Sequence, residues 1–113
     1  MAQPAAADAA FHALANPTRR KVLERLSAGP ATVSELAAPF DMQLPSFVQH
    51  LSVLEQSRLV RSTKRGRVRT YEIAPERLKV VEDWLTARRQ EWEARLDRFD
   101  RYVTQLKDKE SDS

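Results

Sequence analysis

Between Glu76 and Lys107 the chain contains neither glycine nor proline, and apolar residues recur at Leu78, Val81, Leu85, Trp92, Leu96, Phe99, Val103 and Leu106. Steps of three and four, with one of seven where Arg88 and Arg89 interrupt, describe an a/d seam on one α-helix. At ~1.5 Å per residue such a helix runs on the order of 45–50 Å. A chain of 113 residues makes one domain of ordinary size, and that domain is narrower than the rod. The distal half of the seam therefore has nothing in its own protomer to cover it.

The residues before Pro75 divide at equally plain signals. Residues 1–7 are alanine-rich and are expected to fray as a disordered tail. Asp8 can cap a short helix carrying Phe11 and Leu14. Asn16 followed by Pro17 is a second start, with Asn as N-cap and Pro in the first turn. That helix carries Val22, Leu23 and Leu26 and ends by Gly29-Pro30. A short extended piece, Ala31-Thr32-Val33, precedes a third helix, for which Ser34 is the expected cap. A fourth helix starts near Leu44-Pro45, and Leu44, Phe47, Val48, Leu51 and Leu54 form one apolar stripe. Two strand-like runs, residues 59–63 and 68–73, flank a turn containing Gly66 and read as a hairpin. Residues 108–113 are polar and are expected to be a second disordered tail, leaving a domain over residues 8–107.

Composition removes several classes of function. With 42% hydrophobic and 31% charged residues the chain has a globular balance. No apolar run approaches the ~18 residues of a membrane helix, and the N-terminus does not resemble a secretory signal. The expectation is a soluble, cytoplasmic protein with no membrane partner. Cysteine is absent, so thiolate metal sites, disulfides and Cys nucleophiles are excluded together. Two well-separated histidines and no glycine-rich phosphate loop give no support to an enzyme, a metal site or a bound cofactor.

The third and fourth helices with their short turn read as a helix-turn-helix, and the hairpin after them as a wing. The polar face of the fourth helix carries amides and an imidazole rather than the usual Lys/Glu mixture. Such groups can hydrogen-bond base edges in a major groove. Its N-terminal end also offers backbone N–H groups to phosphate. Gln43, Pro45, Ser46, Gln49 and His50 are the candidate DNA-binding residues of this helix. From Gln56 to Tyr71 there are six basic residues and no acidic one. Lys64, Arg65 and Arg67, at the wing tip, are assigned to duplex DNA, where each phosphate contact adds counterion-release free energy. Arg61 and Arg69 read as flanking or salt-bridging groups. Arg19, Arg20 and Lys21 read mainly as a solvated face. The fold class is mainly α with a small β-hairpin wing, in the order α-α-β-α-α-β-β-α.

Three stretches carry a family resemblance in this order: Leu14-Ala15-Asn16-Pro17-Thr18-Arg19-Arg20, Leu44-Pro45 through His50-Leu51-Ser52-Val53-Leu54-Glu55, and Gly66-Arg67-Val68-Arg69-Thr70-Tyr71. Together they resemble the ArsR-type winged-helix transcriptional repressors over roughly residues 9–106. The resemblance implies a homodimer on a near-palindromic operator, with an interface built from the first and last helices. It would involve Phe11, Leu14, Leu85, Trp92, Leu96, Phe99, Val103 and Leu106. Where metal-sensing relatives have paired cysteines this chain has Thr32 and Ser34, and its last helix has carboxylates but no histidine. The metal-sensing branch is therefore disfavoured. The remaining expectation is either a small organic effector between the last helices, beside Trp84 or Trp92, or no ligand at all, with release governed by abundance. The resemblance also places Arg58 where relatives usually carry glycine. The alternative reading is a helical protein–protein adaptor on the same winged-helix scaffold.

Overall fold

The computed structural model describes residues 2–111, with side chains for residues 5–110. Eight elements follow in order: α1 (Ala2–Leu14), α2 (Pro17–Leu26), β1 (Ala31–Thr32), α3 (Val33–Ala37), α4 (Leu44–Gln56), β2 (Val60–Arg65), β3 (Val68–Ile73) and α5 (Pro75–Ser111). This is the order read from the sequence. The hairpin joins a third strand that the sequence reading left unpaired. The sheet order is β1-β3-β2, all antiparallel, with Ala31 opposite Tyr71 and Val60 opposite Ile73.

Both ends are more helical than expected. α1 begins at Ala2 rather than near Asp8, and Ala6 and Ala7 are buried. Alanine is the strongest helix former, and Pro4 lies in the first turn, where its missing N–H costs nothing. α5 runs on to Ser111, since no helix breaker stands between Lys107 and that residue. Met1, Asp112 and Ser113, also assigned to the tails, lie outside the described residues. The boundary between two compact units falls between Val81 and Glu82, inside α5, where the sequence suggested one domain over residues 8–107. Among the described residues none beyond Val81 is buried, so the core closes there.

The core of the first unit is built from Ala10 and Ala13 of α1, Val22, Leu23 and Leu26 of α2, Leu36 of α3, and Phe47, Leu51 and Leu54 of α4. Ala31, Leu59, Val60, Tyr71 and Val81 complete it. Phe40 packs on Phe47 with ring centroids 5.3 Å apart. Phe11 and Leu14 are half-buried against this core.

Local signals explain the element ends. Asn16 accepts from the Arg19 backbone N–H and caps α2, as read. α3 is capped by Thr32 instead of Ser34. The Thr32 hydroxyl accepts from the Glu35 N–H at 3.2 Å, and the Glu35 carboxylate accepts from the Thr32 N–H at 3.0 Å. This reciprocal box needs a carboxylate three residues after the cap, which Thr32 has and Ser34 lacks.

α4 ends in a Schellman motif. The Leu59 N–H donates to the Leu54 carbonyl and the Arg58 N–H to the Glu55 carbonyl, while Leu54 and Leu59 are both wholly buried. The left-handed residue of this turn is Arg58, at φ 63°, a position glycine fills without steric cost.

Two outcomes follow. Arg58→Gly should raise the free energy of unfolding by about 1 kcal/mol in urea denaturation, by relieving the left-handed backbone. An unchanged or lower value would mean that the arginine side chain offsets the strain. The hydrogen bonds from Thr32, backbone first, hold the Glu35 carboxyl below its ordinary 4.5. The unfolded chain thus binds that proton more tightly. Its stabilising contribution is complete above the ordinary value and is lost as pH falls through the folded one. Glu35→Gln should therefore lose less stability than the unmodified chain as the pH is lowered from neutrality through 4.5 and below, and an equal loss would contradict the box.

Candidate nucleic-acid interface

α4 is divided lengthwise by burial. Phe47, Leu51 and Leu54 have no solvent exposure, whereas Gln43, Pro45, Ser46, Gln49 and Ser52 are exposed and His50 is half-buried. The expected apolar stripe is narrower than it reads. Leu44 is 55% and Val48 38% exposed, on the open side of the helix. Leu44 occupies the first helical position, and Val48 lies about 100° around the axis from Phe47, past the edge of the buried seam. Periodicity alone places both with the core. As exposed apolar groups beside Gln49 they have the chemistry that meets a thymine methyl in a major groove.

The N-terminus of α4 is open. Gln43 is the N-cap and makes no side-chain capping hydrogen bond, unlike Asn16 of α2 and Thr32 of α3. The first-turn N–H groups and the positive end of the helix dipole thus face outward beside Pro45 and Ser46.

The wing separates its cations by role. Arg61 donates through Nε to Glu72 Oε1 at 2.9 Å and pairs with Glu76 at 3.5 Å. These carboxylates hold its guanidinium above its ordinary pKa, the Glu72 hydrogen bond first. Arg69 donates to Ser62 Oγ at 2.7 Å, and Ser62 donates to Glu55 at 2.7 Å. This chain links the far end of α4 to both wing strands. Burial, then the Glu55 charge, pushes the Tyr71 hydroxyl up. At the tip, no side-chain hydrogen bond or ion pair among the described residues engages Lys64, Arg65 or Arg67. Gly66 stands at φ 63° as the first residue of the two-residue loop, the pattern of a II′ turn that lets the strands keep their twist.

The basic run of α2 is mostly engaged inside the protein. Arg20 donates to the Leu14 carbonyl at 2.8 Å, and Arg19 to the Ala13 and His12 carbonyls at 2.7 and 3.1 Å. The last carbonyls of α1, which have no helical partner, are satisfied by two cations. Arg19 Nη1 also lies 3.1 Å from His50 Nδ1. Burial first, then the Arg19 charge, lowers the His50 pKa below its ordinary 6.5. Sequence reading could not find this contact, because 31 residues separate the two side chains.

On the second unit, Leu85, Trp92, Leu96, Phe99 and Leu106 are exposed, as are Trp84 and Tyr102, and Val103 is half-buried. Arg88 pairs with Glu91 of its own helix at 3.0 Å and stacks 5.1 Å over the Trp84 ring. An open groove of about 450 Å³ at the root of the wing is lined by Arg58, Arg61 and Arg77 among others. Trp84 and Trp92 do not line it. Among the described residues no three His, Cys, Asp or Glu side chains gather to hold a metal ion. No helix there is long and apolar enough to cross a membrane.

Comparison with known proteins also identifies a helix-turn-helix in this part of the chain. The helix-turn-helix domain family matches residues 14–63. The HTH-type transcriptional regulator Rv2034 of Mycobacterium tuberculosis is 44% identical over 68 residues, 60% of this chain. That match spans 64% of the Mycobacterium protein's length. The transcriptional repressor SdpR of Bacillus subtilis is 31% identical over 75 residues, 66% of this chain and 83% of that one. The crystal structure of the ArsR family transcriptional regulator RHA00566 is 56% identical and superposes with a TM-score of 0.76. It covers 80% of this chain and 93% of its own. With that fold, and that degree of identity across nearly the whole of a solved relative, the chain belongs to the ArsR family of winged helix-turn-helix transcriptional regulators.

Proposed function

We propose that this protein is a homodimeric repressor that binds a near-palindromic operator in duplex DNA. α4 enters the major groove and the wing tip contacts the backbone. The observation that carries the reading is the lengthwise division of α4. Its apolar side is completely used by the core, and its other side offers Gln43, Ser46 and Gln49 around an uncapped N-terminus. Gln49 has the bidentate amide that suits adenine. Lys64, Arg65 and Arg67, unengaged within the protein, supply charge for phosphate. Arg61 and Arg69 are set aside as braces because carboxylates and a serine already hold them.

The dimer is supported by the exposed stripe from Leu85 to Leu106 on α5. Water-exposed aromatic and leucine side chains at a/d spacing are stabilised by a like helix. Phe11 and Leu14, half-buried on their own core, would contribute only their outer edges. Two-fold symmetry then sets two half-sites about 34 Å apart. The printed name of the Bacillus relative, a transcriptional repressor, supports repression as the direction of control.

The test compares two variants on duplexes selected from a random pool. Gln49→Ala should lose discrimination at one base pair of each half-site, by about 1–3 kcal/mol, and bind altered sites nearly as well. Arg67→Ala should weaken every duplex alike and reduce the slope of affinity against salt by about 1. If both variants keep the unmodified affinity, selectivity and salt slope, the interface lies elsewhere. A protein that ignores all duplexes would favour the adaptor reading.

A further inference from the structure

Arg19 makes more hydrogen bonds than a solvated cation on α2 has use for. Its Nε and Nη2 are fixed by the Ala13 and His12 carbonyls, which leaves Nη1 aimed at His50 Nδ1. A guanidinium only donates and stays charged throughout the accessible pH range. At 3.1 Å from it, Nδ1 must therefore present a lone pair. The imidazole is then neutral, and its single proton is on Nε2. Among the described residues no hydrogen bond engages Nε2. His50 lies one residue after Gln49 and one turn after Ser46, on the helix read above as the one that meets DNA.

We propose that Arg19 is a positioning residue for DNA recognition. It fixes His50 as a neutral imidazole with one outward N–H donor, so that the ring adds a directed hydrogen bond to a duplex acceptor without adding charge. The inference rests on the DNA reading of α4 but makes a separate demand on the free protein. Arg19 itself touches no DNA. Its pinning by α1 gives it the rigidity to orient the ring: two of its three contacts are to backbone carbonyls, which move only with the helix. Burial and the neighbouring guanidinium both disfavour the imidazolium, consistent with the neutral state.

The first arm of the test needs no DNA and no variant. Nitrogen-15 correlation spectra of the imidazole at about pH 7.5 should show His50 in one tautomer, protonated at Nε2. An Nδ1-protonated ring, an even mixture or an imidazolium would overturn the proposal. The second arm is a double-mutant cycle on a selected duplex, with Arg19→Met, His50→Ala and the pair. Each single change should weaken binding by about fivefold, the loss of one neutral hydrogen bond. The double variant should be no weaker than His50→Ala alone, and the salt slope should not change in any of them. If Arg19→Met still weakens binding in the His50→Ala background, or lowers the salt slope by about 1, Arg19 meets phosphate itself and the proposal is wrong. If His50→Ala binds like the unmodified protein while the tautomer is as expected, the ring is ordered but does not read DNA, and the proposal again fails. That outcome leaves the Gln49 and Arg67 effects intact, so it is distinct from failure of the DNA reading.

Discussion

The seating of α4 governs everything else in the first unit. Phe47, Leu51 and Leu54 reach zero exposure against α1, α2 and α3, and each such burial is worth roughly 1.5–3 kcal/mol. The polar links to the same helix, Arg19 to His50 and Ser62 to Glu55, each have one charged partner and are worth about 1.5–3 kcal/mol apiece. Packing therefore fixes where the helix lies and how it is rotated, and the hydrogen bonds aim individual side chains. A rotation that exposed Phe47, Leu51 and Leu54 together would cost about 4.5–9 kcal/mol, against about 3–6 kcal/mol for the two bonds. The outward face is in consequence held as firmly as the core.

The arginines show a second division of labour. Arg19 and Arg20 complete the C-terminus of α1, Arg61 ties β2 to Glu72 and Glu76, and Arg69 reaches Glu55 through Ser62. These groups already have defined partners within the protein and have less to offer a ligand. Lys64, Arg65 and Arg67 have not, and they sit at the loop that Gly66 allows to be tight. Net charge of +3 is thus a poor guide to the electrostatic footprint. What counts is which cations the fold leaves unengaged.

Much of this was legible in the residues. Asn16-Pro17 marked the start of α2, and the Gly66 turn between β-branched runs marked the wing, because both depend on neighbours in sequence. The Thr32 cap was legible as well. Its signal is Glu35 three residues on, for which Ser34 has no counterpart. The start of α1 is less legible, because an alanine-rich segment combines strong helix propensity with weak core-forming power, and the two point to different ends of the helix. Leu44 and Val48 mark a harder limit. Apolar spacing gives the width of a stripe but not where neighbouring helices stop covering it. The Arg19–His50 contact and the Ser62 link between Glu55 and Arg69 were out of reach, since tertiary packing brings these residues together.

The central claim is that the open face of α4 and the tip of the wing are where duplex DNA is held. Amide hydrogen exchange, followed by mass spectrometry with and without a selected duplex, addresses it residue by residue. The account predicts that DNA slows exchange over residues 43–50 and 64–68. Exchange in the distal part of α5 should respond to protein concentration and not to DNA. Protection by DNA along residues 85–106, with α4 and the wing unaltered, would contradict it.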